Sequence, residues 1–204
     1  MKKIDKLLNL FRKTDEKQKT ISKITSMSFK QSDTDYDGYF LSPSLKGYFK
    51  VESILPTGET EKFTIIVTTN FLLSLDVKMY SEYGDEIKNV KICSTIKPIN
   101  AYNFYLDFER IDSQNPKYKG YGFGRLMMEA MFHYLGHFSK INNLNFQFLS
   151  GTIGTNANDT PEKSIPLYLS FDNFNFDNNL IIVDKTTLNA KDRNIYFEIV
   201  KETV

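Results

Sequence analysis

The stretch Lys119-Gly120-Tyr121-Gly122-Phe123-Gly124-Arg125 runs directly into Leu126-Met127-Met128-Glu129-Ala130-Met131. It places three glycines at alternate positions, where an apolar helical pattern begins. Glycine has no side chain, so backbone N–H groups can surround a ligand at these positions. The first turn of a helix also offers N–H groups without acceptors, together with partial positive charge. This segment therefore predicts a site for a phosphate group.

The spacing of the glycines excludes two common phosphate-binding fingerprints. A Walker loop requires Gly-x-x-x-x-Gly-Lys-Ser/Thr, and no Lys-Ser/Thr pair occurs in residues 120–125. The dinucleotide fingerprint requires a third glycine three positions after the second, where this chain has Met127. A different phosphate ligand is therefore expected.

The residues on both sides of the glycines predict a strand, a loop and a helix. Residues 104–109 alternate apolar and polar side chains, which is typical of a strand. Apolar residues then recur at helical spacing as far as an expected helix end near residues 136–139; they are Leu126, Ala130, Met131, Tyr134, Leu135 and Phe138. Residues 145–150 predict the next strand.

In this setting, Lys119-x-x-Gly122-x-Gly124 resembles the acetyl-coenzyme A (acetyl-CoA) loop of the GNAT superfamily of N-acetyltransferases. The pattern of that family is Arg/Gln-x-x-Gly-x-Gly/Ala, so lysine replaces the usual first residue. The resemblance covers roughly residues 98–178 and implies acetyl-CoA as the co-substrate. The residues that it assigns to cofactor binding are Ile111, Lys119, Gly120, Tyr121, Gly122, Phe123, Gly124 and Arg125. The alternative is a glycine-rich turn that only caps the helix.

A second segment carries the same resemblance. Residues 162–173 predict a short helix, and residues 165–176 resemble the Tyr-containing helix of the family, followed by its Gly-Phe turn. The resemblance implies that the Tyr168 hydroxyl protonates the departing thiolate of coenzyme A, whereas the structural alternative is an aromatic anchor for this helix. Asn175 stands where the family has glycine, and asparagine tolerates a left-handed backbone better than other non-glycine residues.

Two carboxylates are candidates for the base that accepts the proton of the amine. Asp107 and Glu109 lie two residues apart on one face of the predicted strand. We rank Glu109 first because it is nearer the loop. A bulge at this point would change which side chains face the substrate, so the sequence does not choose between them. A solvated or salt-bridged face is the alternative for both residues.

Composition limits the classes of partner and the compartment. The chain has 204 residues, of which 41% are hydrophobic, and a net charge of +1. This length suits one domain with a full core, and the balanced charge provides no field for nucleic acid or anionic membranes. A single cysteine, Cys93, cannot form an internal disulfide, so we expect a core thiol and a cytoplasmic, reducing location.

The first 28 residues predict an N-terminal amphipathic helix and a linker. Ile4, Leu7, Leu8 and Phe11 have helical spacing among basic residues, without an apolar run of the length needed to span a bilayer. We therefore expect no stable membrane insertion. Such a helix usually packs on its own domain or on a partner subunit, which leaves a homodimer open; the alternative is a helix that lies on a membrane surface. Residues 29–204 are then expected to form a single GNAT-like acyltransferase domain.

The remainder of the chain is rich in predicted strands. They cover residues 46–55, 62–69, 72–80, 87–96, 180–184 and 194–200. Turn signals at Gly58 and Gly84 make successive hairpins the expected result in the first half. With the resemblance, this pattern predicts a GNAT-like α+β fold: a mixed, mostly antiparallel sheet flanked by helices, with a β-rich N-terminal half.

Two groups of side chains are candidates for metal sites. Asp33, Asp35 and Asp37 match the first half of a calcium loop, but Ser44 stands where the bidentate glutamate belongs. His133 and His137 are one helical turn apart and have no evident third ligand. No metal is therefore expected.

Together these features predict an enzyme that transfers the acetyl group of acetyl-CoA to a primary amine by direct attack. The acceptor would be a small molecule or a peptide. The alternative is a catalytically impaired module on the same fold that binds coenzyme A or a protein partner. Lys119, Asn175 and the divergent first half support this alternative.

Overall fold

The computed structural model describes residues 20–31, 45–70, 73–113, 115–153, 161–189 and 191–202. Within these ranges the chain forms ten strands, which are β1 (Ile21–Gln31), β2 (Leu45–Ile54), β3 (Thr60–Thr69), β4 (Ser74–Ser81), β5 (Glu86–Pro98), β6 (Asn103–Ser113), β7 (Asn145–Thr152), β8 (Asn175–Phe176), β9 (Asn179–Val183) and β10 (Asn194–Lys201). The helices are α1 (Phe123–Asn142), α2 (Pro161–Leu169) and α3 (Lys185–Leu188), with a short 3-10 helix at Pro116–Tyr118.

All ten strands belong to one sheet, in the order β1-β2-β3-β4-β5-β6-β7-β10-β9-β8. Strands β1 to β6 follow one another as antiparallel neighbours. Helix α1 then connects β6 to β7, and these two strands run parallel. The last long strand, β10, returns between β7 and β9 and is antiparallel to both.

The strands of the first half have alternating buried and exposed side chains. In β2 every second residue is buried, and β3 to β5 continue this alternation, as expected for a sheet with one covered face. Gly58 and Gly84 both have a φ of 87°, a left-handed value that glycine adopts without strain. The four strands and two turns predicted between residues 46 and 96 are thus confirmed, with ends that differ by a few residues.

The core lies between the sheet and α1. This helix crosses one face of the sheet and contacts strands β1 to β8. Its apolar side chains include the fully buried Met127, Phe132 and Tyr134. Helix α2 packs on the same face, where the Tyr168 ring meets Phe197. The opposite face, which we call the open face, carries partly exposed and polar side chains within the described residues.

The GNAT-like α+β fold predicted from the sequence is wrong. The described residues form mainly a single ten-stranded sheet, and α1 and α2 share one face of it instead of flanking both. The resemblance covers only residues 98–178, and the fold of the remaining residues cannot be inferred from it. In the first half, the alternation of buried and exposed residues produces strands, and these strands need only one helix to bury their apolar face.

Strand β1 was missed by the sequence analysis. The apolar residues Ile24 and Met27 are three positions apart instead of two, because the register with β2 shifts between Ile24 and Ser26. Such a bulge moves the following side chains to the other face. Strand β1 also crosses the expected boundary after residue 28. The predicted N-terminal helix lies outside the described residues, as do Asp33, Asp35 and Asp37.

Helix α1 continues beyond its predicted end, to Asn142. Gly136 does not stop the helix, because it serves packing: a Cβ there would lie 2.9 Å from the Cβ of Asp177. The predicted strands at residues 180–184 and 194–200 are confirmed as the antiparallel pair β9 and β10. The predicted helix over residues 162–173 already ends at Leu169.

The remaining residues singled out in the sequence occupy ordinary structural positions. Cys93 lies half-buried on the open face of β5 and not in the core, and burial raises the pKa of its thiol. The His137 ring stacks on Phe29 with a centroid distance of 4.0 Å, and His133 packs against Phe174. No cluster of three or more potential metal ligands occurs in the described ranges. None of the helices in these ranges is long and apolar enough to cross a bilayer.

Candidate functional site

The glycine loop joins the end of β6 to the start of α1. After the short 3-10 helix, Gly120 and Gly122 adopt left-handed φ values of 89° and 71°. Gly122 is the N-cap of α1, and no side chain caps the helix there. A side chain at either position would be strained in this conformation. The sequence therefore needs glycine here for the shape of the turn.

The first turn of α1 is open to an anion. The first intrahelical hydrogen bond runs from the Leu126 N–H to the Gly122 carbonyl at 3.2 Å. In the described part of the chain, the N–H groups of Phe123, Gly124 and Arg125 have no acceptor. Acidic residues are absent from this turn, and a Cβ built at Gly120 or Gly122 would meet nothing within 4 Å. The first turn of α1 thus combines polar hydrogens without acceptors and the positive end of the helix dipole.

Three cationic residues lie in this turn or shortly before it in the chain. Lys117, Lys119 and Arg125 are exposed, and among the described residues none of them forms an ion pair with a carboxylate. The Arg125 guanidinium lies 5.4 Å from the centroid of the Phe171 ring, which orients it. A cation in the first turn of a helix is unfavourable to the helix dipole. This arrangement suits an anionic ligand.

An aromatic cluster holds the loop against β3. The rings of Tyr118, Tyr121 and Phe123 pack on Phe63 with centroid distances of 5.5, 6.1 and 4.9 Å. The Tyr121 hydroxyl donates a hydrogen bond of 3.0 Å to the carboxylate of Glu61. Burial and this carboxylate raise the pKa of Tyr121 to about 12. Tyr121 and Phe123 therefore position the loop through their side chains.

Gly124 allows the start of α1 to approach β6 and α2. A Cβ at this position would lie 3.4 Å from Ser113 Oγ and 3.5 Å from the Ile111 and Leu167 side chains. The structure thus brings Ile111 and the residue preceding Tyr168 next to the loop. The contact with Leu167 links the two segments in which the sequence showed its resemblance.

Strands β6 and β7 stop pairing beside this site. Their parallel register runs from Asn103 and Asn145 to Phe108 and Gly151. Strand β6 then continues to Ser113, paired with β5 alone. A gap between two parallel strands, next to the N-terminus of the helix that connects them, is a place where a ligand can enter the sheet.

Tyr168 lies at this point of separation but is deeply buried. Its ring is 2% exposed and packs edge-on against Phe108 and Phe197, with centroid distances of 6.5 and 6.1 Å. These contacts are those of an aromatic anchor. The proposed role of its hydroxyl in protonating a thiolate stays a prediction.

The two candidate bases lie on the open face, away from Tyr168. Asp107 forms an ion pair of 2.9 Å with Lys97, and Glu109 accepts a hydrogen bond of 2.6 Å from the Thr95 hydroxyl. The register with β5 jumps from Phe108 to Arg110, so Glu109 is the extra residue of a bulge. The bulge considered in the sequence is therefore present. Both carboxylates already have partners.

The backbone explanation offered for Asn175 is wrong. Asn175 belongs to β8, and its side chain donates a hydrogen bond of 2.9 Å to Glu202. The left-handed residue of this turn is Asn173, with a φ of 65°. Sequence reasoning also missed the contact between Arg125 and Phe171; a cation in a first turn without acidic residues was the available signal.

Comparison of the chain with models of known protein families gives no match, and comparison with curated protein sequences gives none either.

Proposed function

We propose that this protein is an acetyltransferase that transfers the acetyl group of acetyl-CoA to a primary amine. The observation that carries the proposal is the uncapped N-terminus of α1, where three N–H groups have no acceptor and where Lys119 and Arg125 are close along the chain. A pyrophosphate supplies acceptors for these groups and a negative charge for the cations. The proposal depends on this loop and not on the fold that the resemblance implied.

The gap between β6 and β7 supports a position for the reacting thioester. The loop would hold the pyrophosphate, and the acyl end of the coenzyme would extend toward Phe108 and Gly151. The amine nitrogen attacks the carbonyl carbon, the carbon–sulfur bond breaks, and the thiolate takes up a proton. Tyr168 is our candidate for the donor of this proton, and Asp107 or Glu109 would accept the proton of the amine through water.

A specific observation favours the alternative of a coenzyme A-binding module without turnover. Tyr168 is 2% exposed, and both carboxylates are already engaged, Asp107 by Lys97 and Glu109 by Thr95. A protein of this kind would bind acetyl-CoA but release no free coenzyme A in the presence of amines.

Thermal unfolding with millimolar acetyl-CoA tests the proposal. A ligand at 100 times its dissociation constant adds about 2.7 kcal/mol to the stability, which raises Tm by about 5–10 °C in a chain of this size. Pantetheine, which lacks the pyrophosphate, is expected to produce no comparable shift. If acetyl-CoA leaves Tm unchanged, the proposal is wrong.

A pair of glycine variants separates ligand binding from backbone strain. Gly122 and Gly58 both have left-handed φ values, and a Cβ at either meets nothing within 4 Å. Gly122→Ala and Gly58→Ala should each cost about 1 kcal/mol of stability. Only Gly122→Ala should reduce the shift caused by acetyl-CoA. Equal shifts in both variants would remove the loop from the proposal.

Free coenzyme A, measured by thiol release with a panel of amines, distinguishes the two candidate functions. Amine-dependent release supports the acetyltransferase. Binding without release by any amine supports the module without turnover.

A further inference from the structure

A groove of about 580 Å³ lies on the open face, around the carboxyl end of β7. Asp107, Ser150 and Tyr196 contribute to its lining from neighbouring strands, and Asp184 and Thr187 do so from the start of α3. The lining side chains include two carboxylates and no cation. The groove also reaches Gly151, the last residue of β7 that pairs with β6.

A row of aromatic rings leads into this groove. Tyr105 stacks on Phe148 with a centroid distance of 4.8 Å, and Phe148 contacts Tyr196 at 5.2 Å. The three residues lie on β6, β7 and β10, which are adjacent in the sheet. Tyr196 is a neutral phenol at ordinary pH, and burial and the charges of Glu198 and Asp184 raise its pKa further. Its ring can therefore pack against a hydrocarbon chain or a cation.

Asp107 already binds an ammonium group. The Lys97 Nζ lies 2.9 Å from its carboxylate, and the two side chains are 45% and 40% exposed. Exposed ion pairs contribute little to stability. A second ammonium arriving from the groove can therefore replace Lys97 at low cost.

Asp184 provides the second negative charge. Its carboxylate caps α3 by accepting hydrogen bonds from the Thr186 hydroxyl and the Thr186 N–H, at 2.6 and 2.9 Å. These donors lower the pKa of Asp184. The cap fixes its carboxylate at the edge of the groove in the charged form.

We propose that this groove binds a small organic cation that carries a primary ammonium group. The ammonium would contact Asp107, and the hydrocarbon part would pack on Tyr196. Binding itself is independent of the glycine loop. The assignment of this cation as the acetyl acceptor rests on the proposed function, and the end of strand pairing at Gly151 would bring its nitrogen near the thioester.

Calorimetric titration of the full chain without acetyl-CoA tests the groove. We expect 1,5-diaminopentane to bind saturably and 1,5-pentanediol, which has the same chain length without charge, not to bind. Asp107→Asn should lower the affinity for the diamine at least fivefold. Lys97→Gln should tighten it, because the competing ammonium is removed. Asp76→Asn removes a carboxylate of β4, outside the groove, and should leave the affinity unchanged.

These variants have opposite expected signs, so a general loss of structure cannot imitate the result. Equal binding of the diol, an unchanged affinity in Asp107→Asn, or a weaker affinity in Lys97→Gln would overturn the proposal. If the protein binds acetyl-CoA but not the diamine, only the proposed cation site in the groove is wrong. If the protein binds the diamine but not acetyl-CoA, the proposed acetyltransferase function is wrong and the proposed cation site is supported.

Discussion

Gly151 of β7 approaches Phe108 of β6 so closely that a Cβ at residue 151 would lie 2.7 Å from the Phe108 carbonyl oxygen. The two residues form the last pair of the parallel ladder. A side chain at this position cannot be accommodated by a rotamer change, because the obstacle is backbone. The close approach therefore requires glycine at the last pair before the strands separate.

Gly151→Ala should destabilise the protein by about 1–3 kcal/mol, the usual range for an overpacked position. The measurement is urea unfolding at a fixed pH, with the m value monitored. Ser150→Ala is the control, since Ser150 is a partly exposed neighbour in the same strand. Equal midpoints for the two variants would contradict the predicted clash.

Tyr134→Phe should cost about 1–3 kcal/mol, because it leaves buried groups without a partner. The Tyr134 hydroxyl donates to the Leu45 carbonyl at 3.0 Å, so the bond of 2.8 Å to Thr69 uses the Thr69 hydroxyl as donor. Urea unfolding would measure the loss. Tyr83→Phe removes a hydroxyl from a residue that is 89% exposed and should change nothing. An unchanged urea midpoint in Tyr134→Phe would show that these hydrogen bonds contribute no net stability.

Asp172→Asn should destabilise the protein at neutral pH and lose this effect in acid. The Lys185 ammonium, at 2.7 Å, and the Val183 N–H lower the pKa of Asp172 below its ordinary value of 3.8. A carboxyl group whose pKa is lower in the folded state stabilises that state above its unfolded pKa, and the contribution is lost as the pH falls through the folded pKa.

Urea midpoints of the wild type and of Asp172→Asn should therefore differ more at pH 7 than at pH 3. Lys185→Gln removes the main cause of the lowered pKa of Asp172. In this variant, the effect of Asp172→Asn on the urea midpoint should therefore differ less between pH 7 and pH 3. A difference of the same size at both pH values would show that Asp172 acts through packing and not through its charge.

Tyr168→Phe tests the catalytic prediction within the proposed acetyltransferase. Proton transfer by a positioned side chain contributes typically about 100-fold or more to a rate, so turnover should fall by about that factor. The shift of Tm caused by acetyl-CoA should persist, because the ring contacts with Phe108 and Phe197 remain. Tyr102→Phe, at an exposed site, is the matched control. An unchanged rate removes the hydroxyl from the mechanism and leaves Tyr168 as an anchor.

Local patterns predicted the strands between residues 46 and 96 because each has a buried and an exposed face. The same reasoning failed for β1, where the bulge after Ile24 breaks the alternation. It also failed to extend α1 past Gly136, since the contact of that glycine with Asp177 comes from a distant segment. The position of β10 between β7 and β9 depends on pairing across the chain and has no local signal.

At the candidate site, the structure brings together some of the residues that the sequence singled out and separates others. The glycines, Ile111 and the helix of Tyr168 do meet, through the contacts of Gly124 with Ile111 and Leu167. Asp107 and Glu109 instead point to the open face, because Phe108 between them is buried in the core. Their partners Lys97 and Thr95 come from β5, which the spacing within β6 could not reveal.

The place of α1 in the chain also affects protein synthesis. Strands β2 to β5 are complete at Pro98, whereas the helix that covers their apolar face ends at Asn142. Chains are made from the N-terminus, and exposed apolar strands associate with other chains. While residues 99–142 are being added, the side chains of Phe49, Ile65, Val77 and Ile92 lack their covering helix. The nascent chain therefore passes through a stage at which these apolar strands are uncovered and able to associate with other chains.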